Sequence, residues 1–160
     1  MTLNYKLGAK DTPQLKELTV TKRYVFGAKS ITLNTELKNE GASPIAFSYR
    51  SHNVPSLFGK DGTMAFEGGE KLPRSKDSIF HPVKGYAGTC FGAKTSSGCP
   101  GNSAVFYGSG NSLKLTWDMP NFIGVYRWDA PNSPISSFEM ATSIISLKAG
   151  QNINFTFTIQ

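Results

Sequence analysis

Apolar residues recur at every second position along much of the chain, which is the repeat of a β-strand with one buried face. The clearest run is 152–159, where Ile and Phe alternate with Asn and Thr. The same alternation is found at 18–26, 31–37, 45–49 and 113–117. We therefore predict strands at these positions.

Turn-forming residues separate the runs and predict hairpins between them. They cluster at 26–29, 39–44, 108–111 and 148–151, each with at least one glycine. A helical pattern is found at 11–17, where it could form one or two turns. The predicted fold class is all-β, an antiparallel β-sandwich.

Residues 59–102 interrupt the alternation and contain nine of the 16 glycines together with both cysteines. A long irregular segment inside a compact domain commonly carries function or is mobile. We interpret it as a loop-rich insertion packed over one end or face of the sandwich. The length of the chain, 160 residues, fits a single domain spanning 1–160.

The two cysteines, Cys90 and Cys99, lie within this insertion and are separated by eight residues. A disulfide between them would close a short loop and stabilise the fold by about 2–3 kcal/mol. The alternative is a pair of reduced cysteines in a cytosolic loop. A disulfide would favour a secreted or periplasmic protein, and otherwise the compartment stays open. The spacing does not suit zinc, and we predict no metal and no cofactor.

The chain is basic, with 17 Lys and Arg against 11 Asp and Glu and a formal net charge of +6. This charge permits attraction to nucleic acid, anionic glycans or anionic lipid. The basic residues are scattered and no nucleic-acid recognition motif is present, which argues against a nucleic-acid partner. No stretch approaches the roughly 18 apolar residues of a membrane helix, so we expect no transmembrane segment and a soluble chain.

Few side chains offer acid–base chemistry. The two histidines are His52, which follows a predicted strand, and His81, which lies in the insertion; either could simply bond to nearby backbone groups. Glu139 is the one charged residue between Asp129 and Lys148. It occupies either a solvent-facing strand position or a pocket in which it could act as a base. Gly-x-Ser-x-Gly and phosphate-cradling motifs are absent, which argues against hydrolase elbows and P-loop enzymes.

Aromatic and polar residues cluster at 117–129. Flat aromatic faces stack on the C–H faces of sugars while Arg and Asp bond to hydroxyls, so this composition suits a carbohydrate site. Core aromatics of a β-sandwich would give the same composition, and both interpretations stay open. The candidate substrate-binding residues are Arg50, Asn53, Trp117, Tyr126, Arg127, Trp128 and Asp129.

Two segments carry a family resemblance. Residues 18–55, LTVTKRYVFGAKSITLNTELKNEGASPIAFSYRSHNVP, resemble the middle of galactose-mutarotase-like β-supersandwich domains. Residues 133–159, SPISSFEMATSIISLKAGQNINFTFTI, resemble their C-terminus, where an acid-bearing strand precedes a Leu-x-x-Gly turn and a final strand. The resemblance implies a supersandwich-like fold. As in the aldose epimerases of that superfamily, it implies His52 as the general acid toward the ring oxygen and Glu139 as the base.

Three functions follow from the resemblance. The chain is shorter than a complete epimerase, and we expect the N-terminal strands with their additional histidine to have no counterpart in it. We therefore expect first a non-catalytic carbohydrate-binding or carbohydrate-associated module. The alternative is an aldose epimerase-like enzyme that uses His52 and Glu139. A structural or protein-interaction domain is the third, so the expected partners are carbohydrate or protein.

Overall fold

The computed structural model describes residues 1–6, 13–53, 62–66, 69, 71–72, 74, 79–83, 100–108, 110–130 and 136–160. Its strands are β1 (Thr2–Lys6), β2 (Leu18–Phe26), β3 (Ile31–Asn39), β4 (Ile45–Phe47), β5 (Arg50–Asn53), β6 (Thr63–Phe66), β7 (Ile79–Pro82), β8 (Ser103–Gly108), β9 (Asn111–Asp118), β10 (Phe122–Asp129), β11 (Ser136–Thr142), β12 (Ile145–Leu147) and β13 (Asn152–Ile159). The helical pattern at 11–17 yields a single 3₁₀ turn over Pro13–Leu15 in the described part of the segment.

The strands form antiparallel sheets. A seven-stranded sheet has the order β1-β2-β3-β13-β9-β8-β6, and a four-stranded sheet has the order β5-β11-β10-β7. Strands β4 and β12 form a separate pair. The predicted all-β antiparallel sandwich is therefore confirmed.

The core lies between the two larger sheets, and aromatic rings fill its centre. Phe138 on β11 is 1% exposed. Its ring centroid is 5.0 Å from that of Phe106, 5.9 Å from Trp117 and 6.4 Å from Phe66. Those three rings belong to the seven-stranded sheet, so Phe138 joins the layers, as burial of so much aromatic surface favours.

Two strands come from the segment that the pattern marks as irregular. Strand β6 pairs with β8 at one edge of the seven-stranded sheet, and β7 pairs with β10 at one edge of the four-stranded sheet. Met64 and Phe66 on β6 are buried in the core. Each apolar run is only a few residues long, too short for its alternation to be recognised in the sequence.

The four predicted turns divide into two kinds. Those at 26–29 and 108–111 join β2 to β3 and β8 to β9, so they are hairpins as predicted. The prediction of hairpins at 39–44 and 148–151 is wrong, because these turns carry the chain between β3 and β4 and between β12 and β13, which lie in different sheets. Turn residues identify a change of direction but not the partner strand.

One buried amide holds both of these crossing turns. Asn39 is 0% exposed, and its Nδ2 donates to the carbonyl oxygens of Ser43 at 2.8 Å and Leu147 at 3.2 Å. Its Oδ1 accepts from the backbone N–H of Gly41 at 3.0 Å. The side chain thereby satisfies three backbone groups that its removal would leave without these bonds.

We expect Asn39→Ala to lower the free energy of unfolding by about 2 kcal/mol, because buried polar groups would lose their partners. Urea denaturation followed by tryptophan fluorescence measures the change. Asn154→Ala, at an exposed position of β13, is the matched control and should change stability by less than about 0.5 kcal/mol. Equal effects of the two substitutions would contradict this role of Asn39.

Candidate functional site

Strand β5 brings the polar segment Arg50–Asn53 into the four-stranded sheet. The sequence predicts that His52 and Asn53 follow a strand that begins at Ile45, but β4 ends at Phe47 and Arg50–Asn53 form a second strand. This strand pairs with β11 at the edge of the sheet, with His52 opposite Glu139. Backbone bonding to β11 explains how a segment of four polar residues forms a strand without an apolar alternation.

Strand alternation divides the side chains of this sheet between two faces. The inner face packs on the seven-stranded sheet and carries Phe138 and Val125. The opposite side of the sheet is called the outer face below. Its members alternate with those inner positions and include Arg50, His52, Tyr126, Trp128 and Glu139.

Glu139 lies at the centre of the polar group on the outer face. Its Oε2 is 2.5 Å from Nε of Arg50, and its Oε1 is 3.6 Å from Nε2 of His52. The Glu139 side chain is 15% exposed, whereas those of Arg50 and His52 are more than half exposed. A charge-assisted bond fixes one carboxylate oxygen, while the other faces the imidazole beyond hydrogen-bond distance.

The Arg50 side chain lies over an aromatic ring, which packs against a second aromatic ring. The guanidinium carbon of Arg50 lies 4.2 Å from the centroid of the Tyr126 ring, in a cation–π contact. Tyr126 is opposite Glu139 in the sheet register, and its ring is 4.5 Å from that of Phe80. Phe80 was not a candidate in the sequence, since its position in a short apolar run does not indicate which ring it will contact.

The aromatic and polar residues predicted as one cluster lie on different faces. Trp128 is on the outer face and is 41% exposed. Trp117 is 5% exposed in the core, and its ring centroid lies 5.5 Å from that of Phe122. Arg127 and Asp129 alternate with Trp128 along β10 and therefore point inward. Of the cluster, Tyr126 and Trp128 are the members that lie beside Glu139 on the outer face.

Arg127 and Asp129 form a buried ion pair. The Nη2 of Arg127 is 2.8 Å from Oδ2 of Asp129, and Ser136 donates to Oδ1 of Asp129 at 2.6 Å. Burial lowers the pKa of the Arg127 guanidinium, and the charge of Asp129 opposes that change. The pair satisfies charges within the fold instead of offering them to a ligand.

Asn53 and His81 make contacts within the fold and do not lie on the outer face. The Nδ2 of Asn53 donates at 3.2 Å to Phe138 O and to Ser51 Oγ, which ties β5 to β11. His81 is 7% exposed on the inner face, with its ring 5.3 Å from that of Phe66. Cys90 and Cys99 lie outside the described residues, so their pairing stays a prediction.

Two kinds of feature are absent from the residues that the structure describes. Within them, no group of three or more His, Cys, Asp and Glu side chains is arranged to hold a metal ion. The same residues contain no helix with the length and apolar character needed to cross a membrane.

The outer face combines hydrogen-bonding groups with flat apolar surface. Glu139 offers a carboxylate acceptor. Arg50 and His52 offer nitrogen donors at 2.5 Å and 3.6 Å from its oxygens. Trp128 lies two residues from Tyr126 on the same face and is exposed to solvent. Such an arrangement can bond adjacent hydroxyl groups while an aromatic ring covers C–H groups of the same molecule.

Known proteins match this chain in structure. No protein-family model matches it, and no curated protein matches it significantly in sequence. A galactose mutarotase-like protein from Lactobacillus casei aligns with a TM-score of 0.64 and 12% identity, over 99% of this chain and 68% of its own. A galactose mutarotase-like protein from Clostridium acetobutylicum aligns with a TM-score of 0.61 and 8% identity. The alignment covers 99% of this chain and 61% of that protein. The galactosidase domain of an alpha-galactosidase-sucrose kinase aligns with a TM-score of 0.57 and 13% identity. The alignment covers 99% of this chain and 23% of that chain.

These alignments confirm the resemblance at the level of the fold. The chain has the galactose-mutarotase-like β-sandwich fold, at identities that carry no information on activity. It spans 61% to 68% of the length of the two mutarotase-like proteins.

Proposed function

We propose that this protein is a carbohydrate-binding domain whose ligand lies on the outer face of the four-stranded sheet. The observation that carries the proposal is the Arg50–Glu139 pair, which rests on Tyr126 beside the exposed ring of Trp128. A sugar would place its C–H face on Trp128 and its hydroxyls against the carboxylate and guanidinium. The mutarotase-like and galactosidase neighbours support a relation to carbohydrate.

The geometry suits binding because the polar groups are already oriented. The 2.5 Å contact and the stacked guanidinium restrict both long side chains before a ligand arrives. Restricting them in advance reduces the entropy lost when the ligand binds. Adjacent sugar hydroxyls match a carboxylate and a guanidinium side by side, since each hydroxyl both donates and accepts.

A second candidate is aldose epimerisation, and the His52–Glu139 contact favours it. Ring opening requires a proton on the ring oxygen and removal of the proton from the anomeric hydroxyl; the carbon–ring oxygen bond breaks as the carbonyl forms. Both oxygens are bonded to the same carbon, so the acid and the base must lie close together. The separation of 3.6 Å between His52 Nε2 and Glu139 Oε1 meets that requirement. Arg50 occupies the other Glu139 oxygen and withdraws part of its charge, which favours binding over catalysis.

Proton NMR with a panel of reducing monosaccharides and short oligosaccharides tests both functions in one sample. Saturation transfer reports binding, and exchange between anomers reports epimerisation. We expect saturation transfer that weakens in Trp128→Ala, with a Kd raised roughly three- to tenfold, because the stacking surface is lost. Glu139→Gln should raise the Kd roughly tenfold, because a charged acceptor becomes a neutral one.

Phe26→Ala is the control, since it removes an exposed ring at the end of β2 and away from the outer face. Undiminished binding in both Trp128→Ala and Glu139→Gln would remove the outer face as the site. Accelerated anomer exchange that Glu139→Gln abolishes would establish the epimerase instead. If neither signal occurs with any sugar, a structural or protein-interaction role becomes the better explanation.

A further inference from the structure

A second candidate site lies on the other side of β5, between the two main sheets. A groove of about 550 Å³ opens there, a size typical of small-molecule sites. One wall is the inner face of the seven-stranded sheet, and the opposite rim is the segment from Phe47 to Asn53. This space is called the interlayer groove below; its rim includes Arg50 and His52 of β5, whereas Glu139, Tyr126 and Trp128 do not line it.

The walls of the interlayer groove are largely apolar. Inner-face residues of five neighbouring strands line it, among them Leu18, Val20, Leu33, Leu37 and Phe157. Strand β2 lines it from Leu18 to Tyr24, which is about 20 Å of extended chain at roughly 3.3 Å per residue. The groove is therefore elongated and fits an extended apolar ligand.

A single lysine interrupts this apolar wall. Lys22 is half-buried on β2 between Val20 and Tyr24, and its Nζ lies 5.9 Å from the centroid of the Tyr5 ring. Among the described residues, no carboxylate lies within 4.0 Å of it, and none lines the groove. An ammonium group with reduced access to water and no anionic partner is a binding point for an anion.

Tyr49 adds a hydroxyl to the lining of the same groove. Its ring stacks on Phe155 with centroids 4.5 Å apart and planes at 4°, which fixes the direction of the phenol. Burial raises the pKa of Tyr49, and the nearby charge of Lys22 opposes the rise. The phenol therefore keeps its proton near neutral pH and can donate it to an anion beside Lys22.

We propose that the interlayer groove binds a free long-chain fatty acid, with its alkyl chain along the apolar wall and its carboxylate between Lys22 and Tyr49. This activity goes beyond the carbohydrate proposal and uses the apolar wall of the seven-stranded sheet, which carries none of the outer-face residues. Charge complementarity selects the ligand, because Lys22 places a cation on the apolar wall and the polar rim from Phe47 to Asn53 adds Arg50 but no carboxylate. A second copy of the chain would bring Lys22 and a net charge of +6 against the same charges, which disfavours that occupant.

Displacement of a fluorescent fatty acid by palmitate from the full chain measures the affinity. Lys22→Met keeps an unbranched side chain of similar length and removes the charge. We expect it to raise the Kd of palmitate roughly tenfold or more, since a charged hydrogen bond is lost. Arg23→Met is the matched control: it removes the same charge from the next residue of β2, which is exposed and points to the opposite side of the sheet. It should change the Kd less than about twofold, because surface charges are screened.

A ligand-side comparison makes the test independent of any variant. Dodecanoate should bind the unmodified chain roughly tenfold more tightly than dodecanol, because the alcohol lacks the charge that Lys22 would pair. The proposal is wrong if palmitate does not bind, if the acid and the alcohol bind equally, or if Lys22→Met and Arg23→Met have the same effect. Binding confined to anionic vesicles or to acidic peptides would also overturn it in favour of those partners. These outcomes are distinguishable from those of the sugar-binding test, because its variants change Trp128 and Glu139, which do not line the groove.

Discussion

Asp129→Ala is expected to lower the free energy of unfolding by about 3–5 kcal/mol, since it leaves the Arg127 guanidinium buried without its partner. Arg127 is 5% exposed and Asp129 2% exposed, so water cannot replace the lost contact. Burial already lowers the pKa of Arg127, and removal of the carboxylate removes the charge that opposes this change. Ser136 also loses the acceptor to which it donates at 2.6 Å.

A double substitution shows how much of the lost free energy of unfolding comes from leaving one buried charge unpaired. Arg127→Met combined with Asp129→Ala removes both charges and should be less destabilising than Asp129→Ala alone, since no unpaired charge is left in the core. Asp118→Ala, an exposed carboxylate at the end of β9, controls for loss of a negative charge. Urea denaturation measures all three. A double variant that is destabilised as much as Asp129→Ala would contradict the assignment of this loss to an unpaired charge at the 2.8 Å contact.

The same pair illustrates what the sequence could predict of the site. Arg127, Trp128 and Asp129 are consecutive, and their composition predicts polar and aromatic side chains in one place. Composition does not indicate direction, because consecutive residues of a strand face opposite sides of the sheet. Only after β10 is placed between β11 and β7 does one side become the core, which buries the ion pair and exposes the tryptophan.

Long strands were predictable because local alternation is sufficient to define them. The runs that became β2, β3, β9 and β13 each carry several apolar residues on one side. Strand β5 lacks that signal and depends on its partner β11, which lies far away in the sequence. Its register sets His52 opposite Glu139, and register is decided by the pairing of complete strands.

The family resemblance supplied what periodicity could not. It named His52 and Glu139 together, and these two residues are neighbours across β5 and β11. It did not indicate that Arg50 would contact the same carboxylate at 2.5 Å. That contact depends on the spacing between β5 and β11 and on the conformation of the long Arg50 side chain, and a sequence motif specifies neither.

Gly124→Ala has the second large expected effect, a loss of about 3 kcal/mol in the free energy of unfolding. A Cβ at this position would lie 2.4 Å from the carbonyl oxygen of His81 and 2.7 Å from the ring of Phe80. The backbone also has a φ of 154°, a conformation that residues with a side chain rarely adopt. Overpacking and backbone strain each contribute on the order of 1–3 kcal/mol.

Gly110→Ala distinguishes strain from contact. Gly110 has a φ of 78°, but a Cβ there would meet nothing within 4 Å, so only the strain remains and about 1 kcal/mol is expected. Thermal and urea unfolding compare the two variants. A loss no larger for Gly124→Ala than for Gly110→Ala would contradict the predicted clash with β7.

The Gly124 substitution also links the fold to the outer face. The absence of a side chain at Gly124 leaves room for the Phe80 ring. The centroid of that ring is 4.5 Å from the centroid of the Tyr126 ring, and the Arg50 guanidinium lies over Tyr126. A Cβ that displaces Phe80 should therefore weaken sugar binding in the molecules that remain folded, although Gly124 itself touches no ligand. Saturation-transfer NMR at a temperature where Gly124→Ala is fully folded tests this step. Unchanged affinity there would show that the aromatic support of Tyr126 contributes to the stability of the sheet and not to the orientation of Arg50 and Glu139.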